Sequence, residues 1–242
     1  MCNGFEARVR IQVPQGTSQA TFTIGSSAVA TATTGTITAT LHGASARSSL
    51  TLQPALTSFS VSPTSAPGGA GATLILYLGA LAPSGGWQVN LSSSNPSVVS
   101  VPSTVTVPAG SRYLQVHITS TPQCSSTTVT LTASSGITAL NASLTVTPPP
   151  VSNLTFTSSV KGGNLVTATV SISYPACAQG LSVSLLSANP SVASVPPSVT
   201  VAAGQKSTTF VITTYHVSTT ATVNISATSN NVTKSKILTV TP

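Results

Sequence analysis

Asn95-Pro-Ser-Val-Val-Ser-Val-Pro102 returns as Asn189-Pro-Ser-Val-Ala-Ser-Val-Pro196, displaced by one constant step (189 − 95 = 94). The turn Pro108-Ala-Gly110 returns at the same step as Ala202-Ala-Gly204, and Ser143-Leu-Thr-Val-Thr-Pro148 as Ile237-Leu-Thr-Val-Thr-Pro242. One further step back reaches Pro14-Gln-Gly16 and Ser49-Leu-Thr-Leu-Gln-Pro54. Self-similarity at a fixed period is the mark of a repeat architecture. The chain therefore divides into two full units, 55–148 and 149–242, preceded by 1–54 as the C-terminal half of a third.

Inside each unit the apolar residues keep strand parity. Val166, Ala168, Val170 and Ile172 alternate with Thr167, Thr169 and Ser171, and Ala72, Leu74, Leu76 and Leu78 hold the matching places. Trp87, Val89 and Leu91 match Leu181, Val183 and Leu185; Val129, Leu131 and Ala133 match Val223, Ile225 and Ala227. Identity changes while parity stays, as expected where one face of each strand lines a core. Seven strands per unit emerge from this alternation and its Gly/Pro punctuation. The first strand is out of step, since Phe59/Val61 and Leu154/Phe156 differ by one in register; a bulge or a shifted edge strand is expected there. A unit of this size with seven short strands and no helix fits an immunoglobulin-like sandwich. The expected fold class is all-β: tandem immunoglobulin-like β-sandwich repeats, the first one incomplete.

The run Asn189-Pro-Ser-Val-Ala-Ser-Val-Pro196, followed by Ser198-Val-Thr-Val201, Ala203-Gly204 and a Thr-rich strand, resembles the immunoglobulin-like repeats of bacterial surface proteins, of Big or invasin-like type. The resemblance covers essentially the whole chain. It implies stalks, adhesin shafts, filament subunits or accessory modules beside enzymes, and a shared fold does not choose among them.

Composition narrows the chemistry. Of 242 residues 40% are hydrophobic, enough for a buried core, while only 4% are charged. Ser and Thr, a third of the chain, fill the gap. Glu6 is the sole carboxylate side chain and there is no Asp. Calcium linkers need several oxygen ligands with carboxylates among them, so they are excluded. Paired-carboxylate glycosidase chemistry and acid-oriented triads are excluded as well. Lys–Asn isopeptide bonds, known in similar surface proteins, need a neighbouring acid and are also not expected. The same scarcity predicts nearly constant stability from about pH 7 to pH 2, because acid unfolding mainly reports carboxylates that protonate. No catalytic residue, cofactor or metal site is expected, and the chain reads as a non-enzyme.

The formal charge is +7, but Arg8, Arg10, Arg47, Arg112, Lys161, Lys206, Lys234 and Lys236 are scattered without interleaved aromatics. That pattern reflects missing acids and argues against a nucleic-acid partner. There is no apolar run of about 20 residues, hence no membrane span in this chain. Residues 1–15 carry no secretory h-region, and the chain begins in mid-repeat.

Three cysteines stand at 2, 124 and 177. Position 124 corresponds to Ser218 one unit on, and 177 to Pro83 one unit back, so neither belongs to the framework of the repeat. Cys124 falls between the fifth and sixth strands, at the end where the chain leaves its unit. Cys177 falls between the second and third strands of the next unit, at the end where the chain enters. The two loops face each other across Pro148-Pro-Pro150, which predicts either an inter-repeat disulfide Cys124–Cys177 or two separate thiols. Cys2 is a candidate for pairing with another chain or simply a residue at a fragment end. Consecutive prolines hold an extended path, so a semi-rigid rod is expected.

His42, His117 and His216 fall in different repeats and read as surface side chains. Glycosylation sequons occur at Asn90, Asn141, Asn153, Asn224 and Asn231; parity points Asn90 and Asn224 outward, making these two the candidate glycan acceptors. Tyr77 and Tyr113 are the outward aromatics that a glycan-binding platform would use. The Thr/Ser rows on the outer faces either hydrate the surface in place of charges or bind carbohydrate and neighbouring subunits through their hydroxyls. Residues 1–54 lack the first two strands and most of the third, which leaves Phe22, Ile24 and Ile37 uncovered. The chain is thus a section of a longer array, or other copies or further repeats complete the half unit. The expected function is a structural segment of an extracellular or cell-surface stalk or fibre. The alternative is an adhesin or carbohydrate-binding module of a larger secreted protein.

Overall fold

The computed structural model describes residues 9–25, 33–52, 56–136 and 138–242. Every regular element among them is a β-strand. Residues 56–147 form one sandwich. Its smaller sheet joins β3 (Leu56–Ser62), β5 (Gly71–Leu78) and β8 (Tyr113–Thr119) in the order β3-β5-β8. Its larger sheet joins β4 (Ser65–Pro67), β10 (Thr138–Thr147), β9 (Thr127–Ser135), β6 (Trp87–Ser93) and β7 (Thr104–Val107) in the order β4-β10-β9-β6-β7. The core between the sheets is built from the alternating positions: Leu74, Leu76, Val89, Val129, Leu131 and Val146 are wholly buried.

Residues 151–241 repeat the plan. One sheet runs β11 (Val151–Thr155), β13 (Leu165–Ile172), β17 (Ser207–Thr214) and β15 (Ala193–Ser194). The other runs β12 (Ser159–Lys161), β19 (Val232–Thr241), β18 (Ala221–Ser229), β14 (Leu181–Ser187) and β16 (Ser198–Val201). Here Ala168, Val170, Val183, Ile212, Ile225 and Leu238 close the core. These two sandwiches in series are tandem immunoglobulin-like domains.

More strands form than parity alone yields. The first strand of each unit splits: β3 and β11 stay on the smaller sheet, while β4 and β12 cross over and pair parallel to β10 and β19. A two-residue strand, β15, also extends the smaller sheet of the second sandwich; in the first a single bridge, Val99 to Ser120, takes its place.

The register anomaly has a different cause from the one expected. Both first strands carry the same bulge, between Leu56 and Ser58 and between Val151 and Asn153. A shared bulge cannot produce a difference between units. The odd residue lies in the crossover instead: buried Val61 and Ala66 are five positions apart, whereas Phe156 and half-buried Val160 are four apart. A connection between sheets absorbs an extra residue without turning any strand over.

The N-terminal region behaves differently from the expected half sandwich. β1 (Thr33–Leu41) and β2 (Ala44–Leu52) form a hairpin whose register, Thr33 with Leu52 to Leu41 with Ala44, is that of β9/β10 and β18/β19 moved by the repeat step. Its turn, His42-Gly43, has positive φ at both residues, as does Asn230-Asn231 in the β18/β19 hairpin. Two-residue turns of that kind match the twist of the flanking strands. Residues 9–25 carry no strand, although they correspond to β7 and β8. Those strands hydrogen-bond to β6 and β5, and residues 1–242 contain no counterpart of either for the half unit. A hairpin satisfies its own ladder; a lone strand does not. Val9, Phe22, Ile24 and Leu41 accordingly stand exposed.

Candidate functional site: the joint between the sandwiches

The last strand of the first sandwich ends at Thr147, whose carbonyl accepts the Gly68 N–H at 2.8 Å and so belongs to that sandwich. Two residues on, the Pro149 carbonyl accepts the Ser229 hydroxyl at 3.1 Å; the Pro150 carbonyl accepts the Ser173 N–H at 3.0 Å. Both carbonyls are thereby fastened to the second sandwich. Only Pro148 remains between the two sets of fastenings, and its ring fixes φ. The hinge is one residue long and that residue is proline.

Side chains add contacts across it. Asn230, in the β18–β19 turn, donates from Nδ2 to Thr147 Oγ1 at 3.1 Å. Tyr174, after β13, lies over Gly69, after β4; a methyl group at Gly69 would sit 3.3 Å from the tyrosine ring. Gly69 has φ +92, a conformation that glycine adopts without penalty. A shallow crevice beside the linker is lined by Cys124, Pro148, Leu181, Ser184, Thr228 and Asn230. None of these side chains is charged.

Cys124 lies between β8 and β9, Cys177 between β13 and β14, and the structure brings them together. Their sulfurs are 2.00 Å apart in a disulfide with Cα atoms 5.4 Å apart. Cys124 is exposed and Cys177 is 2% exposed. The remaining cysteine, Cys2, lies outside the described residues, as do Glu6 and Arg8. The described residues hold no carboxylate side chain and hence no side-chain ion pair.

Other candidate residues stay apart. His42 sits in the β1–β2 turn, His117 on β8 with Nδ1 3.1 Å from Thr73 Oγ1, and exposed His216 after β17. Among the described residues no three His, Cys, Asp or Glu side chains converge as metal ligands. Asn90 and Asn224 are both exposed, on β6 and β18. Tyr77 and Tyr113 meet: they are directly paired across β5 and β8, with ring centroids 5.0 Å apart and planes tilted by 43°. Lys236 is drawn inward, donating from Nζ to the Phe156 carbonyl and lying 5.1 Å from that ring's centroid. Sequence reasoning missed Tyr174, Ser229 and Asn230 at the joint. Tyr174 stands where the previous unit has Ala80, the same kind of departure from the repeat that marks the cysteines.

No protein-family model and no curated protein matches the chain. Solved structures with similar folds include titin domains I67–I69 in an E-to-A variant, with 10% identity over 87% of this chain and 74% of that one (TM-score 0.38). A two-domain fibronectin type III segment of chicken tenascin is 18% identical over 76% of this chain and 98% of its own (TM-score 0.37). The Escherichia coli adhesin FdeC is 15% identical over 86% and 74% (TM-score 0.35). Among the described residues no helix is long and apolar enough to cross a membrane.

Proposed function

We propose that this chain is a non-catalytic structural segment of an extracellular stalk or fibre built from tandem immunoglobulin-like repeats of the bacterial surface type. The joint carries this reading. A binding module needs only a site, whereas a shaft must hold its units at a fixed angle, and here a one-proline hinge is fastened on both sides and bridged by a disulfide. Persistent disulfides belong to oxidising compartments, which favours a secreted or surface location. Further repeats or other copies of the array are the natural partners of residues 1–54. Electron microscopy of native material is expected to show thin, regularly articulated stalks or fibres at the cell surface. Material confined to the cytosol, or isolated compact particles, would contradict the reading.

A second reading, an adhesin or carbohydrate-binding module, is favoured by one observation. Tyr77 and Tyr113 form an exposed aromatic pair with Ile75 and Gln115 on the same outer face, and the second sandwich has Ser171 and Ser207 in their places. Binding on a glycan array that is lost in Tyr77→Ala supports this reading. An array without binding leaves the pair as a cross-strand contact that stabilises its sheet.

A further inference from the structure

Tension in a chain follows covalent bonds, and the disulfide offers a shorter covalent path than the backbone. We propose that the Cys124–Cys177 bridge is a mechanical bypass. It takes residues 125–176 out of the line of tension and moves the load in both sandwiches from short parallel strand pairs to longer antiparallel ladders. The proposal rests on the shaft reading for its biological purpose, though not for its test.

Without the bridge, tension enters the first sandwich at β3 and leaves at the end of β10. β4, continuous with β3, lies parallel to β10 through three residue pairs, Ser65 with Thr145 to Pro67 with Thr147. Parallel strands pulled from opposite ends slide past each other, so this short pair is sheared, together with its flanking bonds from Thr145 N–H to Thr64 O and from Gly68 N–H to Thr147 O. The second sandwich repeats the arrangement. There β12 and β19 share three pairs, Ser159 with Thr239 to Lys161 with Thr241.

The bridge reroutes the load. Cys124 follows β8, so tension leaves the first sandwich there, and β9 and β10 go slack. Cys177 precedes β14, so tension enters the second sandwich beyond β11, β12 and β13, which also go slack. β3 and β8 run in the same direction on either side of β5, joined to it by six and seven residue pairs. β14 and β19 run in the same direction on either side of β18, joined to it by four and nine pairs. Each three-residue parallel patch thus drops out and a longer ladder takes the shear. Bonds sheared together share the force, so the longer ladder resists more. The counterparts of the two cysteines, Ser218 and Pro83, cannot form such a bridge, which makes the bypass particular to this joint.

The test is single-molecule force spectroscopy on the full chain tethered by its ends. The native protein is compared with Cys124→Ser and with native protein in excess dithiol. The dithiol passes two electrons and two protons to the cysteines and itself closes to a disulfide, so this arm serves even if the variant folds poorly. The bridge spans 53 chain steps. The native chain is expected to release about 180 Å less contour length than either comparison, at roughly 3.3–3.6 Å per step. Its sandwiches are also expected to rupture at higher force. Equal contour lengths would overturn the bypass, and the length difference without higher force would overturn the transfer of load. Neither result bears on the shaft reading, which the micrographs and the glycan array decide.

Discussion

Trp87 replaces Leu181 of the other unit at the start of its strand, and its indole N–H reaches Ser135 Oγ at 2.7 Å. Ser135 is 8% exposed and depends on this partner. Trp87→Phe keeps most of the ring but removes the donor, and is expected to cost about 1–3 kcal/mol. Chemical denaturation of the first sandwich checks it. Gly68 is tighter still: a methyl group there would lie 2.6 Å from the Gln123 nitrogen and 2.7 Å from Pro122 Cα, both backbone atoms. Gly68→Ala should destabilise by about 1–3 kcal/mol through overpacking. At roughly 4–8 °C per kcal/mol for a domain of this size, calorimetry resolves the fall in melting temperature. At this scale the sequence is legible where a residue breaks the repeat. Cys124 and Cys177 stand out because their counterparts are Ser and Pro, and loop topology then places them face to face. The contact of Tyr77 with Tyr113 was not legible, since it depends on the register between β5 and β8, which parity leaves open.

The hairpins show what an element needs from its surroundings. β9 and β10 carry Val129, Leu131, Leu144 and Val146 into a closed core, all at most 2% exposed. β1 and β2 have the same register, yet every residue is exposed or half-buried. A two-stranded hairpin without a covered face is marginal in water. Amide hydrogen exchange measured by NMR should therefore be orders of magnitude faster across Thr33–Leu52 than across Thr127–Thr147, because opening free energies range from near zero up to the global stability. Equal protection would mean that something covers the hairpin. Alternation revealed the strands with buried counterparts, such as Val166 to Ile172. It failed at residues 9–25, where the pattern is intact but residues 1–242 hold no pairing partners for it. The one-residue difference in the crossover after Val61 was likewise visible as an anomaly but not assignable, because a bulge and a longer connection leave the same trace in sequence.

At the scale of the molecule, the scarcity of carboxylates and the shortness of the joint set the behaviour. Stability varies with pH only where folded and unfolded states bind different numbers of protons. With Glu6 the sole side-chain carboxylate, that difference stays near zero in the acid range. The melting temperature is expected to stay nearly level from about pH 7 to pH 2; a sharp loss near pH 4 in a calorimetric series would refute this. Three consecutive prolines predict stiffness from the sequence. The reason for it is tertiary: the Thr147 carbonyl is held by one sandwich, the Pro149 and Pro150 carbonyls by the other, and Pro148 alone lies between. Tandem domains ordinarily move relative to each other unless their interface prevents it. Residual dipolar couplings of the weakly aligned chain test this joint most directly. If the sandwiches form one rigid segment, a single alignment tensor fits the amides of residues 56–147 and 151–241 together. Two tensors of different magnitude would show a free hinge and contradict the account.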